Sequence, residues 1–258
     1  MILDDIARAA KIRVEKAKAL VSPGQMREHA LQCENGSDFR FEKALKKGGM
    51  AFICEVKKAS PSKGVIAEDF PYLAIAQEYE AAGADAISVL TEPDFFQGSN
   101  DYLSQIRQTV KIPILRKDFT IDEYQIYEAK ILGADAVLLI CALLDTDTVK
   151  KYISVCDRLG LSALVEAHTR DEAESALRAG ARVIGVNNRN LKTFEVDLNT
   201  CTGLRTLVPE NILYVAESGI RTARDVALLR QENVNAVLIG ETLMRSKDKK
   251  AELHRLSG

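Results

Sequence analysis

From Met50 onward the sequence alternates short apolar runs with longer segments of helical periodicity, and it does so eight times. The runs occupy 51–57, 86–91, 112–117, 136–141, 162–166, 183–187, 213–217 and 236–240. Strands buried on both faces read as near-continuous apolar stretches, and parallel neighbours need a crossover of about a dozen residues or more, usually a helix. The segments 72–82, 122–132, 145–159 and 222–231 have that length and pattern. Alternation of this kind predicts repeated βα units and a parallel sheet. Eight units in the space available fit a closed (β/α)8 TIM barrel, whose usual length is about 250 residues. Gly83-Ala84-Asp85-Ala86 and Gly133-Ala134-Asp135-Ala136 lead into the second and fourth runs, and Gly180-Ala181-Arg182-Val183 into the sixth. The repeat is two units long and argues for fold, since a Gly after a helix is a common C-cap.

Four of the runs end in an ionisable side chain: Lys57, Lys117, Glu166 and Glu217. These are runs one, three, five and seven. In such barrels a layer of inward side chains comes from alternate strands, and active sites lie at the strands' C-terminal ends. The four charges are therefore expected to meet at one polar mouth. Side chains alternate between the faces of a strand, so Ile53, Glu55 and Lys57 share the inward face and Cys54 packs outward against helices. An ion pair that merely fills the barrel is the alternative for Glu55 and Lys57.

Residues 1–47 differ from the rest, with helical periodicity and no strand-like run. Ile2, Leu3, Ile6, Ala9, Ala10, Val14 and Ala17 form one apolar face, which Ser22-Pro23-Gly24 is read as ending; 41–47 reads as a second short helix stopped by Gly48-Gly49. The expectation is one domain, in which an N-terminal helical extension (1–47) caps a barrel (48–258). Lys plus Arg total 35 against 37 Asp plus Glu, so no positive field favours nucleic acid or an acidic membrane. No apolar stretch approaches the roughly 20 residues of a membrane helix, and the N-terminus, with Asp4 and Asp5, lacks a signal-peptide core. The five cysteines are scattered, without a Cys-x-x-Cys pair, which predicts neither disulfides nor a zinc site and suits the cytoplasm. Asn35-Gly36-Ser37 matches a glycosylation sequon but reads as a polar turn.

The loops add binding groups. Ser60-Pro61-Ser62-Lys63-Gly64 follows the first run as a polar loop able to close over a ligand; its Ser-x-x-Lys pattern has no hydrolase partner motif. Glu217-Ser218-Gly219-Ile220 and Gly240-Glu241-Thr242 follow runs seven and eight, where barrels commonly bind phosphate through backbone N–H groups. Ser218, Gly219, Gly240 and Glu241 are thus candidate phosphate contacts, and the expected partner is a phosphorylated small molecule.

Taken together, Glu55-Val56-Lys57 with Ser60-Pro61-Ser62, Leu115-Arg116-Lys117-Asp118-Phe119, Val165-Glu166-Ala167-His168, Gly185-Val186-Asn187-Asn188-Arg189 and Ala216-Glu217-Ser218-Gly219-Ile220 resemble the successive motifs of indole-3-glycerol-phosphate synthases. The resemblance covers nearly the whole chain. It implies closure of 1-(2-carboxyphenylamino)-1-deoxyribulose 5-phosphate to indole-3-glycerol phosphate, with loss of carbon dioxide and water, in tryptophan biosynthesis, without cofactor or metal. By the same resemblance Lys117 is the general acid, Glu166 the base and iminium stabiliser, and Lys57 with Glu55 positions substrate and assists water loss. Asn187 and Arg189 orient substrate, Glu217 meets its hydroxyls, Ser60 its carboxylate, and Phe96 and Phe119 wall its aromatic ring; Lys57 also reaches the phosphate. His168 is read as a surface residue or as one standing behind the site. Glu241 occupies a position where some relatives carry Ser or Ala, and an inward carboxylate there opposes phosphate. A monomer is expected, with a homodimer as the alternative. Two rival readings are a phosphoribosylanthranilate isomerase-like barrel, which would carry Cys where this chain has Lys57, and a non-catalytic phosphate-binding barrel, which would not need Lys117 and Glu166.

Overall fold

The computed structural model describes residues 2–33 and 39–258, so the turn read at Asn35-Gly36-Ser37 lies outside the described residues. Eight parallel strands close into a barrel: β1 (Ala51–Val56), β2 (Ala86–Leu90), β3 (Ile114–Lys117), β4 (Ala136–Ile140), β5 (Ser162–Ala167), β6 (Val183–Asn187), β7 (Leu213–Glu217) and β8 (Ala236–Ile239). Each pairs with its sequence neighbours, and β1 with β8 completes the ring. Helices α4 (Tyr72–Ala81), α6 (Asn100–Thr109), α7 (Glu123–Leu132), α8 (Thr146–Arg158), α9 (Arg170–Arg178), α10 (Asn199–Arg205) and α11 (Ala223–Gln231) lie between successive strands. After β8 come the short α12 (Glu241–Arg245) and α13 (Lys249–Ser257). The β3 strand is shorter than its apolar run because Pro113, which has no N–H, precedes it and serves the sheet only through its carbonyl, accepting from Ile87.

Strand parity divides the core in two. Ile53, Leu115, Leu138, Ile140, Leu164, Val215 and Leu238 fill the barrel interior. Cys54, Val56, Ile87, Val89, Val137, Leu139, Val165 and Val186 face the helices in a second, larger cluster. Cys54 is fully buried, as its outward parity requires.

Three helices precede the barrel. In α1 (Ile2–Leu20), Ile6, Ala10 and Val14 recur every fourth residue and make the buried stripe. The first helix does end, at Leu20, just before the segment read as its stop, and the same segment also starts a helix: Ser22 is the N-cap of α2 (Pro23–Gln32), with Pro23 at the first helical position and Gln25 closing a capping box. In α3 (Arg40–Leu45), Phe41 and Leu45 are fully buried among Ala51, Ile53, Ala86 and Leu115, plugging the barrel's N-terminal end. The polar loop after β1 folds back on itself, residues 59–60 pairing antiparallel with 64–65. Among the described residues no helix is long and apolar enough to cross a membrane.

The sequence repeat has a physical cause. Asp85 donates its N–H to the Phe52 carbonyl at 2.9 Å and accepts the Phe52 N–H at 2.8 Å through its carboxylate. Asp135 treats Ile114 in the same way, at 2.8 and 2.9 Å. So does Asn235 with Tyr214, at 2.9 and 2.8 Å. Each side chain fastens the start of one strand to the strand before it, at the barrel floor. Gly83 and Gly133 hold the left-handed conformation two residues earlier (φ 92° and 87°), and before β8 that place is taken by Asn233 at φ 55°. The repeat therefore has a member that composition conceals, because Asn replaces both Gly and Asp. In the sixth unit Arg182 departs from the pattern and pairs with Glu42 at 3.0 Å and Asp157 at 2.8 Å.

Asp135 also meets Arg107 at 3.1 Å and Arg40 at 3.2 Å. Asp135→Ala leaves the Ile114 N–H without its acceptor and removes the carboxylate that Arg107 and Arg40 share, and is expected to lower unfolding free energy by about 2–3 kcal/mol. Asp135→Asn, which keeps an acceptor, loses less. Urea denaturation of the three proteins measures the difference.

Candidate active site

At the C-terminal end of the barrel the strand termini open into a cavity of about 370 Å3. Glu55, Lys57, Lys117, Glu166, Asn187 and Glu217 all line it, so the charges expected from alternate strands do converge. The Lys117 ammonium lies 3.4 Å from Glu166 Oε2 and 3.5 Å from Glu217 Oε2. Lys57 Nζ meets Glu55 Oε1 at 2.5 Å, and Ser88 donates to Glu55 Oε2 at 3.2 Å. These are two ammonium groups among three buried carboxylates.

Burial works against the charged form of Lys117, but Glu166, Glu217 and Glu55 outweigh it and raise its pKa, so the side chain is an ammonium. Burial pushes Glu166 up, yet Lys117, then His168, outweigh that and hold it below the usual carboxylate range. Glu55 is lowered in the same sense, Lys57 and Lys117 overcoming burial. Glu217 goes the other way: burial, only partly offset by Lys117 and reinforced by Glu166 and Glu55, raises it to about 8. The mouth thus holds an ammonium donor, two ionised carboxylates and one protonated carboxyl near neutral pH.

The remaining candidates sit around this centre. Phe96 ends α5 (Pro93–Phe96), and its ring centroid is 5.9 Å from that of Phe119, both lining one wall. Ile2, Leu3 and Ile6 of α1 reach the same cavity, as does Ser60. Asn187 stands against Glu166, favouring its charged form, and its side-chain oxygen accepts the Arg189 N–H at 3.0 Å. Arg189 donates to the Phe194 carbonyl at 3.2 Å while lining the rim. Ser218, Gly219, Gly240 and Glu241 belong to the same rim, with Lys63, Arg221 and Arg245. Glu241 is held by Arg245 at 3.1 Å and Lys63 at 3.6 Å, so its charge is matched within the rim. Among the described residues no group of three or more His, Cys, Asp or Glu is placed to hold a metal ion.

His168 is not a surface residue. Its side chain is 12 % exposed, Nδ1 meets Glu172 Oε2 at 3.2 Å, and Nε2 lies 3.4 Å from Glu166 Oε1. It stands behind the Glu166 carboxylate because the first turn of α9 brings Glu172 back toward it. Three further residues escaped sequence reading. Ser88 supports Glu55 from the neighbouring strand. Asn188 ties two loops together, donating to the Glu217 and Ser218 carbonyls and accepting the Cys201 N–H. At Gly185 an added Cβ would stand 2.2 Å from Glu217 Oε1. A Gly inside a strand signals such close approach, and that was the available clue. At Gly240 a Cβ would stand 2.6 Å from Glu55 Oε1 and 2.8 Å from Lys57 Nζ, so a side chain here would displace the ends of the Glu55–Lys57 pair.

A closed parallel barrel with paired ammonium and carboxylate groups at its C-terminal mouth defines the class, a (β/α)8-barrel enzyme. Within that class the chain belongs to the indole-3-glycerol phosphate synthase family, whose profile it matches over residues 3–256. It is 63% identical to the indole-3-glycerol phosphate synthase of Ruminiclostridium cellulolyticum over 258 residues, covering 100% of this chain and 99% of that protein. The enzyme of the same name from Endomicrobium trichonymphae is 57% identical over 246 residues, 95% of each chain. Among solved structures, a 3-hexulose-6-phosphate synthase superposes with a TM-score of 0.65 over 81% of this chain and 98% of its own, at 14% identity, a likeness of fold alone.

The folded chain keeps the Glu217 proton up to about pH 8, whereas an unfolded chain releases it near 4.5. The folded form binds more protons in that window, so this residue makes stability fall as pH rises through it. Glu217→Gln, neutral throughout, is expected to remove that part of the fall. Urea unfolding at pH 5, 7 and 8.5, compared with the unsubstituted protein, reads it directly.

Proposed function

We propose that this chain closes 1-(2-carboxyphenylamino)-1-deoxyribulose 5-phosphate to indole-3-glycerol phosphate, releasing carbon dioxide and water. The observation that carries the reading is the Lys117 ammonium, held between Glu166 and Glu217 in a cavity with an aromatic wall on one side and a cationic rim on the other. The ring carbon bearing the carboxylate attacks the ketone carbon. Lys117 supplies the proton that turns the ketone oxygen into a hydroxyl, and its charge opposes the build-up of negative charge on that oxygen. The ring then loses carbon dioxide, the departing C–C bond pair restoring aromaticity. Ionised Glu166 steadies the cationic iminium that precedes this loss; afterwards it takes the proton from the ring carbon next to the one bearing the hydroxyl, while the Lys57 ammonium protonates that hydroxyl, which leaves as water. Lys57 and Glu55 position the substrate and assist that departure, while protonated Glu217 can donate to a substrate hydroxyl.

At the aryl end Ser60 meets the carboxylate and Phe96 and Phe119 flank the ring, with Asn187 and Arg189 orienting the linkage. At the other end Lys57 and the backbone around Ser218, Gly219, Gly240 and Glu241 receive the phosphate. Residues 1–47 act as part of the same domain as the barrel, in support of which α1 lines the mouth and α3 fills the floor. A monomer suffices, since every group assigned a role comes from one chain. The free cysteines suit a cytoplasmic setting.

Indole fluorescence tests the reaction. Folded protein is expected to generate product from the carboxyphenylamino substrate, and Lys117→Ala to reduce turnover by about a thousandfold, with ligand still bound. A folded sample giving no indole signal sinks the reading. Glu241→Ser removes a carboxylate that competes for Lys63 and Arg245 at the rim. It is expected to lower KM for the substrate by about threefold, with kcat held, in steady-state assays at low ionic strength.

A further inference from the structure

Arg13 lies on α1, on the helix face that the sequence presents as solvated charge, yet it is tied to two loops of the barrel mouth. Its Nη1 meets Glu92 Oε1 at 2.6 Å and Asp94 Oδ2 at 3.6 Å, and its Nη2 meets Asp118 Oδ1 at 2.9 Å. Glu92 is fully buried and Asp118 nearly so. Each of these carboxylates in turn holds the backbone of an aromatic residue at the mouth. Glu92 Oε2 accepts the N–H of Phe95 at 2.7 Å and of Phe96 at 3.1 Å. Asp118 Oδ1 accepts the N–H of Phe119 at 2.8 Å, and Oδ2 accepts from Thr91 Oγ1 at 2.6 Å. One guanidinium fork therefore fixes the two carboxylates that fix Phe96 and Phe119.

We propose that Arg13 is a positioning residue for the aromatic subsite, setting the gap between Phe96 and Phe119 through Glu92 and Asp118. This rests on the reading that the two Phe side chains wall the substrate's ring. A planar, bidentate cation suits the task because two carboxylates from different loops must be held at a fixed separation, which a point charge cannot do. Without it, Glu92 becomes a buried charge with only backbone N–H partners, and its loop must shift toward water to relieve that cost. The phosphate rim is served by other elements, the loops after β7 and β8, so the effect is confined to one end of the substrate.

Full-length Arg13→Met and Arg13→Lys, with Phe96→Ala and Phe119→Ala, test this using two probes: N-methylanthranilate for the aryl end, by its fluorescence, and inorganic phosphate for the other. In Arg13→Met the dissociation constant for N-methylanthranilate and the substrate KM are expected to rise about tenfold, with phosphate affinity unchanged and kcat within about twofold. Arg13→Lys is expected to recover part of the aryl affinity, and it carries the test alone if the Met variant does not fold: a smaller aryl-selective loss supports the proposal. Aryl affinity like that of the unsubstituted protein in either Arg13 variant, or equal weakening of both probes, overturns it. If the Phe variants weaken aryl binding while Arg13→Met does not, only the role of Arg13 falls. Aryl affinity unmoved by either Phe variant removes the aromatic-wall reading and the proposal together.

Discussion

Lys117 is an ammonium taken out of water, and the mouth of this barrel is organised around making that tolerable. Its desolvation is offset by three carboxylates whose other permanent cation is Lys57, while His168 beside Glu166 is charged only when protonated and is shared with Glu172. Three acids cannot all be ionised against so few cations in a buried space, and the arrangement resolves the excess by protonating one of them. Glu217 is that one, since Ser88 and Lys57 support Glu55, and Asn187 and His168 support Glu166, whereas Glu217 Oε1 has no hydrogen-bond partner. The same asymmetry separates their chemical abilities. Glu166 is an ionised group able to steady positive charge and accept a proton; Glu217 is a donor.

Stability and chemistry occupy opposite ends of the strands. At the floor, Asp85, Asp135 and Asn235 each satisfy both backbone groups of a strand's first residues, and their interactions are directed sideways, strand to strand. At the mouth the same strands end in side chains directed inward, where charge is concentrated at the expense of stability. Separation along the barrel axis allows the mouth to carry a protonated acid and buried ammonium groups without loosening the sheet, because the register is already set some four residues earlier.

The barrel and the convergence of its charged strand ends were legible because their signals are of one kind: a charge that closes an apolar run is conspicuous, and strand parity then says which way it points. Lys57, Lys117, Glu166 and Glu217 needed nothing more. What escaped reading depends on partners brought together only by folding. The segment Ser22-Pro23-Gly24 was read as the end of α1, which it follows, but not as the start of α2, whose stripe of Met26 and Ala30 alone is too weak to announce a helix. His168 is drawn behind Glu166 by Glu172 one helical turn later, a pairing the apolar pattern does not display. The floor repeat before β8 was hidden because Asn233 and Asn235 do the work of Gly and Asp. Arg13 is indistinguishable by pattern from its solvated neighbours on α1.

The N-terminal segment illustrates why such a part cannot be understood as an appendage. Its two ends act on opposite ends of the barrel. Phe41 and Leu45 of α3 are fully buried against Ala51, Ile53, Ala86 and Leu115, each stabilising the floor by about 2–3 kcal/mol through removal of apolar surface from water. Arg13 of α1 neutralises Glu92 and Asp118 beneath the aromatic wall, while Ile2, Leu3 and Ile6 complete the cavity lining. A barrel without this segment would present an open apolar floor and, at its mouth, a buried Glu92 left with backbone N–H partners alone, while Asp118 would keep Arg116 at 3.6 Å. The strands alone can close the ring, but only with the preceding helices does the ring have both a sealed interior and a fixed site.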